Sequence, residues 1–141
     1  MWQGSCSRVF KGVKKEAVWQ VLTDVNNWKR WDPDIEYIRM ESDFVVGNFF
    51  MLKPKGAPCF KIRLIEVEKG KAFTDCVHFI GAKMYGRIEM VEENDGLRLT
   101  TTVKVTGILG FLWRKLVAED VIKAEPQKME NIVALAKEVK I

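Results

Sequence analysis

The sequence predicts an α+β domain in which a curved antiparallel sheet of six to seven strands wraps around a long C-terminal helix, with two short helices after the first strand. Three observations carry this prediction. Apolar residues recur with a helical period near the N-terminus, alternate with a period of two through the middle, and return to a helical period at the end. The 141 residues fit one domain, positions 1–141, because domains usually hold roughly 100–150 residues.

The first elements are a short strand over residues 6–10 and an amphipathic helix. The apolar face of that helix has the spacing i, i+3, i+4, i+7 at Val18, Val21, Leu22 and Val25.

A single helical turn is predicted next. Asn26 or Asn27 is expected to cap it, and Pro33 to end it. Its two tryptophans, Trp28 and Trp31, lie three residues apart. They suit either a gate over a cavity mouth or a plug that closes the end of the domain.

Residues 35–105 alternate with a period of two and are divided by turn signals, which predicts about six successive strands. Phe60, Ile62 and Leu64 alternate with charged residues, so one face of the sheet is expected to be wet. Short connections such as Asn94–Gly96 favour antiparallel pairing.

The last third, residues 108–141, predicts one long helix with a kink or break at Glu125–Pro126, because proline lacks the amide donor. This helix is the only long element left to cover the apolar face of the sheet. A curved sheet around a rod cannot be filled evenly, so we expect a gap between them of a size that accepts an apolar small molecule, roughly 300–1,000 Å³.

The predicted lining combines aromatic, methionine and aliphatic residues from both layers. Methionines such as Met40, Met51, Met84 and Met90 suit an adaptable pocket, but they suit core packing as well. The expected ligand-binding residues are Trp28, Trp31, Met51, Phe60, Ile62, Leu64, Phe79, Met84, Ile88, Leu99, Val103, Trp113, Leu116 and Val117.

The order of elements and several motifs resemble one superfamily. The motifs are VWxxLxDxxNWxxWxP over residues 18–33, Gly47, Phe73–Asp75 and Val105–Gly107. Together they resemble the START-like (SRPBCC) helix-grip superfamily and its polyketide cyclase/dehydrase-like branch. The resemblance covers the whole chain. It implies a helix-grip fold with a hydrophobic cavity that is roofed by the last helix and entered near the second short helix. It also implies ligands such as lipids, polyketides or quinones.

One branch of that superfamily is excluded. The stretch Asp43–Phe50 holds a single glycine, so the glycine-rich loop of the plant pathogenesis-related branch is missing and no nuclease activity is expected.

Candidate catalytic residues are few. His78 is the one histidine, and with Asp75, Glu66 or Tyr85 it is suited to acid–base chemistry if its face of strand 72–80 points inward. Either face of that strand can point inward, and a wet or hydrogen-bonded structural histidine is the competing interpretation.

Composition excludes several classes of function. The 23 Lys and Arg against 19 Asp and Glu form no sustained basic stripe, so we expect no nucleic-acid partner. One histidine and three separated cysteines predict no metal and no cofactor, and they suggest a reducing, cytoplasmic location. No apolar run is long enough for stable membrane insertion. A membrane-touching lip at Phe111–Trp113 and a weak homodimer stay open.

The leading hypothesis is therefore a carrier or sensor that binds a hydrophobic small molecule. The alternatives are a metal-free cyclase or dehydratase that uses the same cavity, and a protein-interaction module that docks through the basic first helix around Lys14 and Lys15.

Overall fold

The computed structural model describes residues 1–140 as one seven-stranded sheet with helices packed on its inner face. All neighbouring strands are antiparallel, in the order β1-β7-β6-β5-β4-β3-β2. The predicted run of six strands after residue 35 is confirmed. The strands are β1 Trp2–Lys11, β2 Ile35–Arg39, β3 Phe49–Pro54, β4 Phe60–Glu68, β5 Ala72–Phe79, β6 Ala82–Glu93 and β7 Gly96–Thr106.

The two short helices lie between β1 and β2, as expected. They are α1 (Lys15–Thr23) and a 3-10 helix (Val25–Arg30). The C-terminal helix begins with a short α-helical turn and a π-helical segment and continues as a long α-helix. These parts are α2 (Gly110–Trp113), the π segment (Arg114–Ala118) and α3 (Glu119–Glu138).

Of the kink or break expected at Glu125–Pro126, the break is wrong, because α3 runs through Pro126 without interruption, and the kink stays a prediction. Burial of Met129, Ile132, Val133 and Ala136 on the following turns outweighs the cost of the missing amide, roughly 3 kcal/mol. The carbonyl of Pro126 also accepts a hydrogen bond from Arg8 Nη1 at 3.2 Å. The irregular part of the helix is the π segment. The last residue of the predicted helix, Ile141, lies outside the described residues.

The expected cap by Asn26 or Asn27 is also wrong, because the 3-10 helix follows Asp24 and has no side-chain cap. Asn26 instead binds the backbone at the end of β2. Its Nδ2 donates to the Met40 carbonyl at 2.9 Å, and its Oδ1 accepts from the Met40 amide at 2.8 Å. This pair of bonds fixes the 3-10 helix to the edge of the sheet.

Replacing Asn26 with Ala is expected to lower the free energy of unfolding by about 1–3 kcal/mol, because two backbone groups of Met40 lose their partner. Asn27→Ala is the matched control, since the Asn27 side chain bonds only the exposed Asp24 carboxylate. Urea titrations followed by tryptophan fluorescence measure both variants. Equal unfolding midpoints for the two would contradict the role given to Asn26.

The helices cover the inner face unevenly. α3 packs against β1 and β7 at one side of the sheet, while α1 packs against α3 and the 3-10 helix packs against β2. The buried apolar residues form two separate clusters. The larger holds Leu22, Trp28, Phe50 and Phe73, and the smaller holds Val103, Val105 and Ala118. The larger cluster also contains Leu64 and Met90, so it extends onto the inner face of the middle strands.

Candidate functional site

The candidate site is the region between α3 and the inner face of β3–β6, where the sequence predicts a gap, and we keep the name gap for this region. Several residues there belong to the inner face of the sheet and are half-buried. Most of them pack against one of the two buried apolar clusters. The half-buried inner residues are Leu52, Phe60, Ile62, Asp75, Met84 and Ile88, and Val121 and Ile122 of α3 are half-buried as well.

Strand register brings two glycines and one carboxyl group together at one level of the sheet. Adjacent strands pair Leu64, Asp75, Gly86, Val103 and Gly4 in one row across the inner face. Two of the five positions are glycine and contribute no side chain. The Trp2 ring and Ile122 occupy the space beside Gly4, and the Asp75 carboxyl occupies the space beside Gly86, while Leu64 and Val103 belong to the two apolar clusters.

Asp75 is the polar group of that row. A Cβ on Gly86 would lie only 3.0 Å from Asp75 Oδ1, so glycine provides the room that the carboxyl occupies. Burial raises the pKa of Asp75 from its ordinary 3.8 to about 7. The Gly86 amide lowers the pKa in part, and the nearby Glu125 raises it. The carboxyl lies deep in the fold, while Asp75 as a whole residue is half-buried.

Glu125 faces the sheet from α3. It is buried, and its Oε2 accepts a hydrogen bond from Thr101 Oγ1 at 3.0 Å. Burial raises its pKa, while Lys128 opposes that rise. Lys128 in turn lies 3.3 Å from Asp32 Oδ2. The gap therefore holds two carboxyl groups in apolar surroundings, and both are biased toward the protonated form that donates a hydrogen bond.

Sequence reasoning missed Glu125, Thr101 and Gly86. A signal for Glu125 is present in the sequence, because it lies at helical spacing among Ile122 and Met129 on the face of α3 that packs inward. Gly86 has no such signal, since its importance depends on pairing with Asp75.

The expected lining residues fall into three groups. Five lie in the fully buried clusters and so pack the core instead of bordering open space: Trp28, Trp31, Leu64, Leu99 and Val103. Seven are half-buried and come from inner strand positions or from the start of the C-terminal helix: Phe60, Ile62, Phe79, Met84, Ile88, Trp113 and Val117.

The third group, Met51 and Leu116, lies outside the gap. Met51 alternates with Phe50 and Leu52 along β3, so its side chain is on the outer face. Leu116 is 58% exposed, because the inward side of the helix at this level is the one that carries Trp113, Val117 and Ala118.

The catalytic candidates do not form one set. Asp75 is on the inner face of β5, whereas His78 is exposed on the outer face and pairs with Lys83 of β6. Tyr85 shares that outer face, where it lies opposite Cys76. Glu66 is also remote from the gap, since it forms an ion pair with Arg87. The strand's inner face therefore contributes one ionisable group, Asp75.

An open pocket of about 380 Å³ on the outer side contains His78, Lys83 and Tyr85, together with the β5–β6 turn. Near the second short helix, the surface carries a groove of about 100 Å³. Trp31 borders this groove, but it is 6% exposed and packs on Trp28, with ring centroids 5.3 Å apart. The tryptophans fill this end of the fold.

No helix among residues 1–140 is long and apolar enough to cross a membrane. Within the same residues, no three His, Cys, Asp or Glu side chains are grouped so that they could hold a metal ion. The three cysteines are free thiols.

No known family model matches the sequence, and no curated protein is significantly similar to it. Solved structures are similar in fold. A START superfamily protein from Mycobacterium smegmatis has a TM-score of 0.74 at 15% identity, with 94% of this chain and 97% of that chain covered. Norcoclaurine synthase from Thalictrum flavum, in complex with dopamine and hydroxybenzaldehyde, has a TM-score of 0.71 at 14% identity, with 99% and 90% covered.

Ara h 8.0201 has a TM-score of 0.72 at 11% identity, and 98% of this chain and 100% of that chain are covered. At these identities the likeness concerns the fold. The element order, the antiparallel sheet and the 29-residue C-terminal helix agree with it. The chain has the START-like helix-grip fold.

Proposed function

We propose that this chain binds an apolar small molecule in the gap, without metal or covalent chemistry. The observation that supports the proposal is the set of half-buried apolar residues on the inner face of β3–β6, which has the carboxyl of Asp75 among them. Ligand pockets are concave, mostly apolar and supplied with a few polar groups, and this face supplies the apolar residues while Asp75 and Glu125 supply the polar groups. The three free cysteines are compatible with a reducing, cytoplasmic setting.

Asp75 and Glu125 supply the polar anchors. Because burial raises the pKa of both carboxyls, each favours a ligand that brings a hydroxyl, carbonyl or amine to it. Burial of about 300 Å² of apolar ligand surface gives roughly 7 kcal/mol, and association costs at least ~4 kcal/mol. The hydrogen bonds that a ligand makes to Asp75 and Glu125 therefore decide whether its affinity is high.

Filling the gap is expected to weaken binding. Ile62→Trp adds a large ring on the inner face of β4, next to Val77. We expect its affinity for a dansylated fatty acid, measured by fluorescence titration, to be about tenfold lower than that of the natural sequence, the equivalent of 1.4 kcal/mol.

Ile65→Trp is the matched control, since Ile65 is on the same strand and 42% exposed. Its affinity should be unchanged. Native mass spectrometry of freshly purified protein provides the second test, and it should show a bound apolar molecule. An empty protein that also fails to bind fatty acids, quinones and polyketides contradicts the proposal.

A second candidate, an acid–base enzyme of the cyclase or dehydratase kind, is favoured by one observation. Asp75 has a pKa of about 7 inside an apolar space, which suits a group that both accepts and donates a proton. In that case Asp75→Asn would abolish water loss from a linear poly-β-ketone thioester, followed by mass spectrometry, while retaining the bound compound. A carrier would show no turnover with either protein.

A further inference from the structure

One end of the molecule exposes a cluster of large apolar side chains, which we call the apolar tip. It combines the β5–β6 turn, the residue after Gly107, and the exposed side of the first helical turns. Its members and their exposed fractions are Ile80 81%, Ile108 87%, Phe111 67%, Leu112 42% and Leu116 58%.

Hydrogen bonds join these segments into one surface. Trp113 Nε1 donates to the Ile80 carbonyl at 2.8 Å, and the Leu109 amide donates to the Gly81 carbonyl at 2.9 Å. The Trp113 ring stacks on Phe79, with centroids 4.3 Å apart. These contacts hold the segments of the tip together, and its apolar side chains are exposed to solvent.

Helical phase separates the tip from the core. Gly110 is buried and Trp113 and Val117 are half-buried, whereas Phe111, Leu112 and Leu116 are exposed. Residues four apart lie on the same side of a helix, so Leu112 and Leu116 form one stripe with Phe111 beside them. Contiguous exposed apolar surface of this kind marks an interaction site.

The charges around the tip are mostly positive, and the nearest acidic residues along the helix are Glu119 and the exposed Asp120. Residues 76–88 and 96–118, which build this end, contain no Asp or Glu. Lys83 and Lys115 are exposed and Lys104 is half-buried. The 380 Å³ pocket beside the β5–β6 turn contains Lys83, His78 and Tyr85 and no acidic residue. Arg114 is engaged with Glu119, 3.5 Å away, and so contributes less.

We propose that the apolar tip docks on an anionic lipid bilayer, with its apolar side chains in the headgroup boundary and Lys83 and Lys115 against lipid phosphates. Apolar residues flanked by lysines match a bilayer surface, where the headgroup boundary accepts apolar side chains and the phosphates attract lysines. Binding of this kind combines apolar burial with attraction to anionic lipids. A protein partner with an apolar patch does not by itself explain the excess of positive charge at the rim. The inference is independent of which molecule occupies the gap.

Vesicle flotation tests the proposal with the full chain. Binding is expected to vesicles of phosphatidylcholine with phosphatidylglycerol, to be weak with phosphatidylcholine alone, and to fall as salt is added. The double variant Ile108→Ser, Phe111→Ser and the double variant Lys83→Glu, Lys115→Glu should each lower the bound fraction about tenfold.

Ile65→Ser with Val91→Ser is the matched control, because these residues are 42% and 51% exposed away from the tip. It should bind vesicles like the natural sequence. Circular dichroism checks that all variants are folded. Absence of binding to anionic vesicles, or equal binding by the tip variants, overturns the proposal. So does a tip-dependent dimer in analytical ultracentrifugation without vesicle binding. Fatty-acid titration of the same samples reports on the gap separately.

Discussion

Replacing Asp75 with Asn is expected to stabilise the protein above about pH 7 by up to about 4 kcal/mol, and to leave its stability near pH 4 almost unchanged. The carboxyl has a pKa of about 7 in the folded chain against an ordinary 3.8, so the folded state holds the proton more tightly. As pH rises from about 4 to 7, the unfolded state ionises first and unfolding becomes easier. Asparagine fills nearly the same space and has no charge to bury.

Urea unfolding of both proteins at about pH 4.5 and pH 8 measures the effect. Asp95→Asn in the β6–β7 turn is the matched control, since Asp95 is exposed. Some pH dependence should remain in Asp75→Asn, because burial also raises the pKa of Glu125. Parallel stability profiles for the natural sequence and Asp75→Asn would show that the carboxyl is well solvated in the folded state.

The cost of ionising Asp75 bears on function. A buried aspartate that weakens the fold at neutral pH is unexpected in a row whose only purpose is packing, where an apolar residue would serve better. If a bound ligand makes a hydrogen bond to the Asp75 carboxyl, it should also shift the pH dependence of the free energy of unfolding of the natural sequence. The same titration then connects the polar group of the gap to occupancy of the gap.

Periodicity was enough to predict the strands, α1 and the long C-terminal helix, because each has a clear apolar side. It was insufficient for β5, where Phe73, Val77 and Phe79 on one side compete with Cys76 and Ile80 on the other. Only pairing with β6 decides that Asp75 faces inward and His78 outward. Register is a property of two strands, so one strand's sequence could not contain it.

The misplaced Leu116 has a different origin. Leu116 lies three residues after Trp113, which is compatible with the inner side, but the buried face is centred on Val117, Ala118 and Glu125 and leaves Leu116 on the outer side. Leu116 therefore belongs to the apolar tip. Apolar spacing did not separate the two sides here, because Phe111, Leu112 and Leu116 make the outer side of the first turns apolar as well.

Trp28→Ala is expected to lower the free energy of unfolding by about 3–5 kcal/mol, the usual cost of removing a buried large aromatic ring. Trp28 is 6% exposed and packs on Trp31 and Phe50, with ring centroids 5.3 Å and 5.1 Å away. Its indole Nε1 also donates to the Leu22 carbonyl at 3.0 Å. Urea unfolding measures the loss, with Tyr37→Ala as the control because Tyr37 is 49% exposed.

Trp28→Phe separates the two roles considered for this tryptophan. Phenylalanine keeps most of the packing and removes the bond to Leu22, so the folded variant should lose less stability than Trp28→Ala. A plug has no part in capture of a ligand, so the affinity of Trp28→Phe for the dansylated fatty acid should equal that of the natural sequence. Faster release of that probe with little loss of stability would instead identify Trp28 as a gate. Because its ring is enclosed by Trp31, Phe50 and Phe73, we expect the first result.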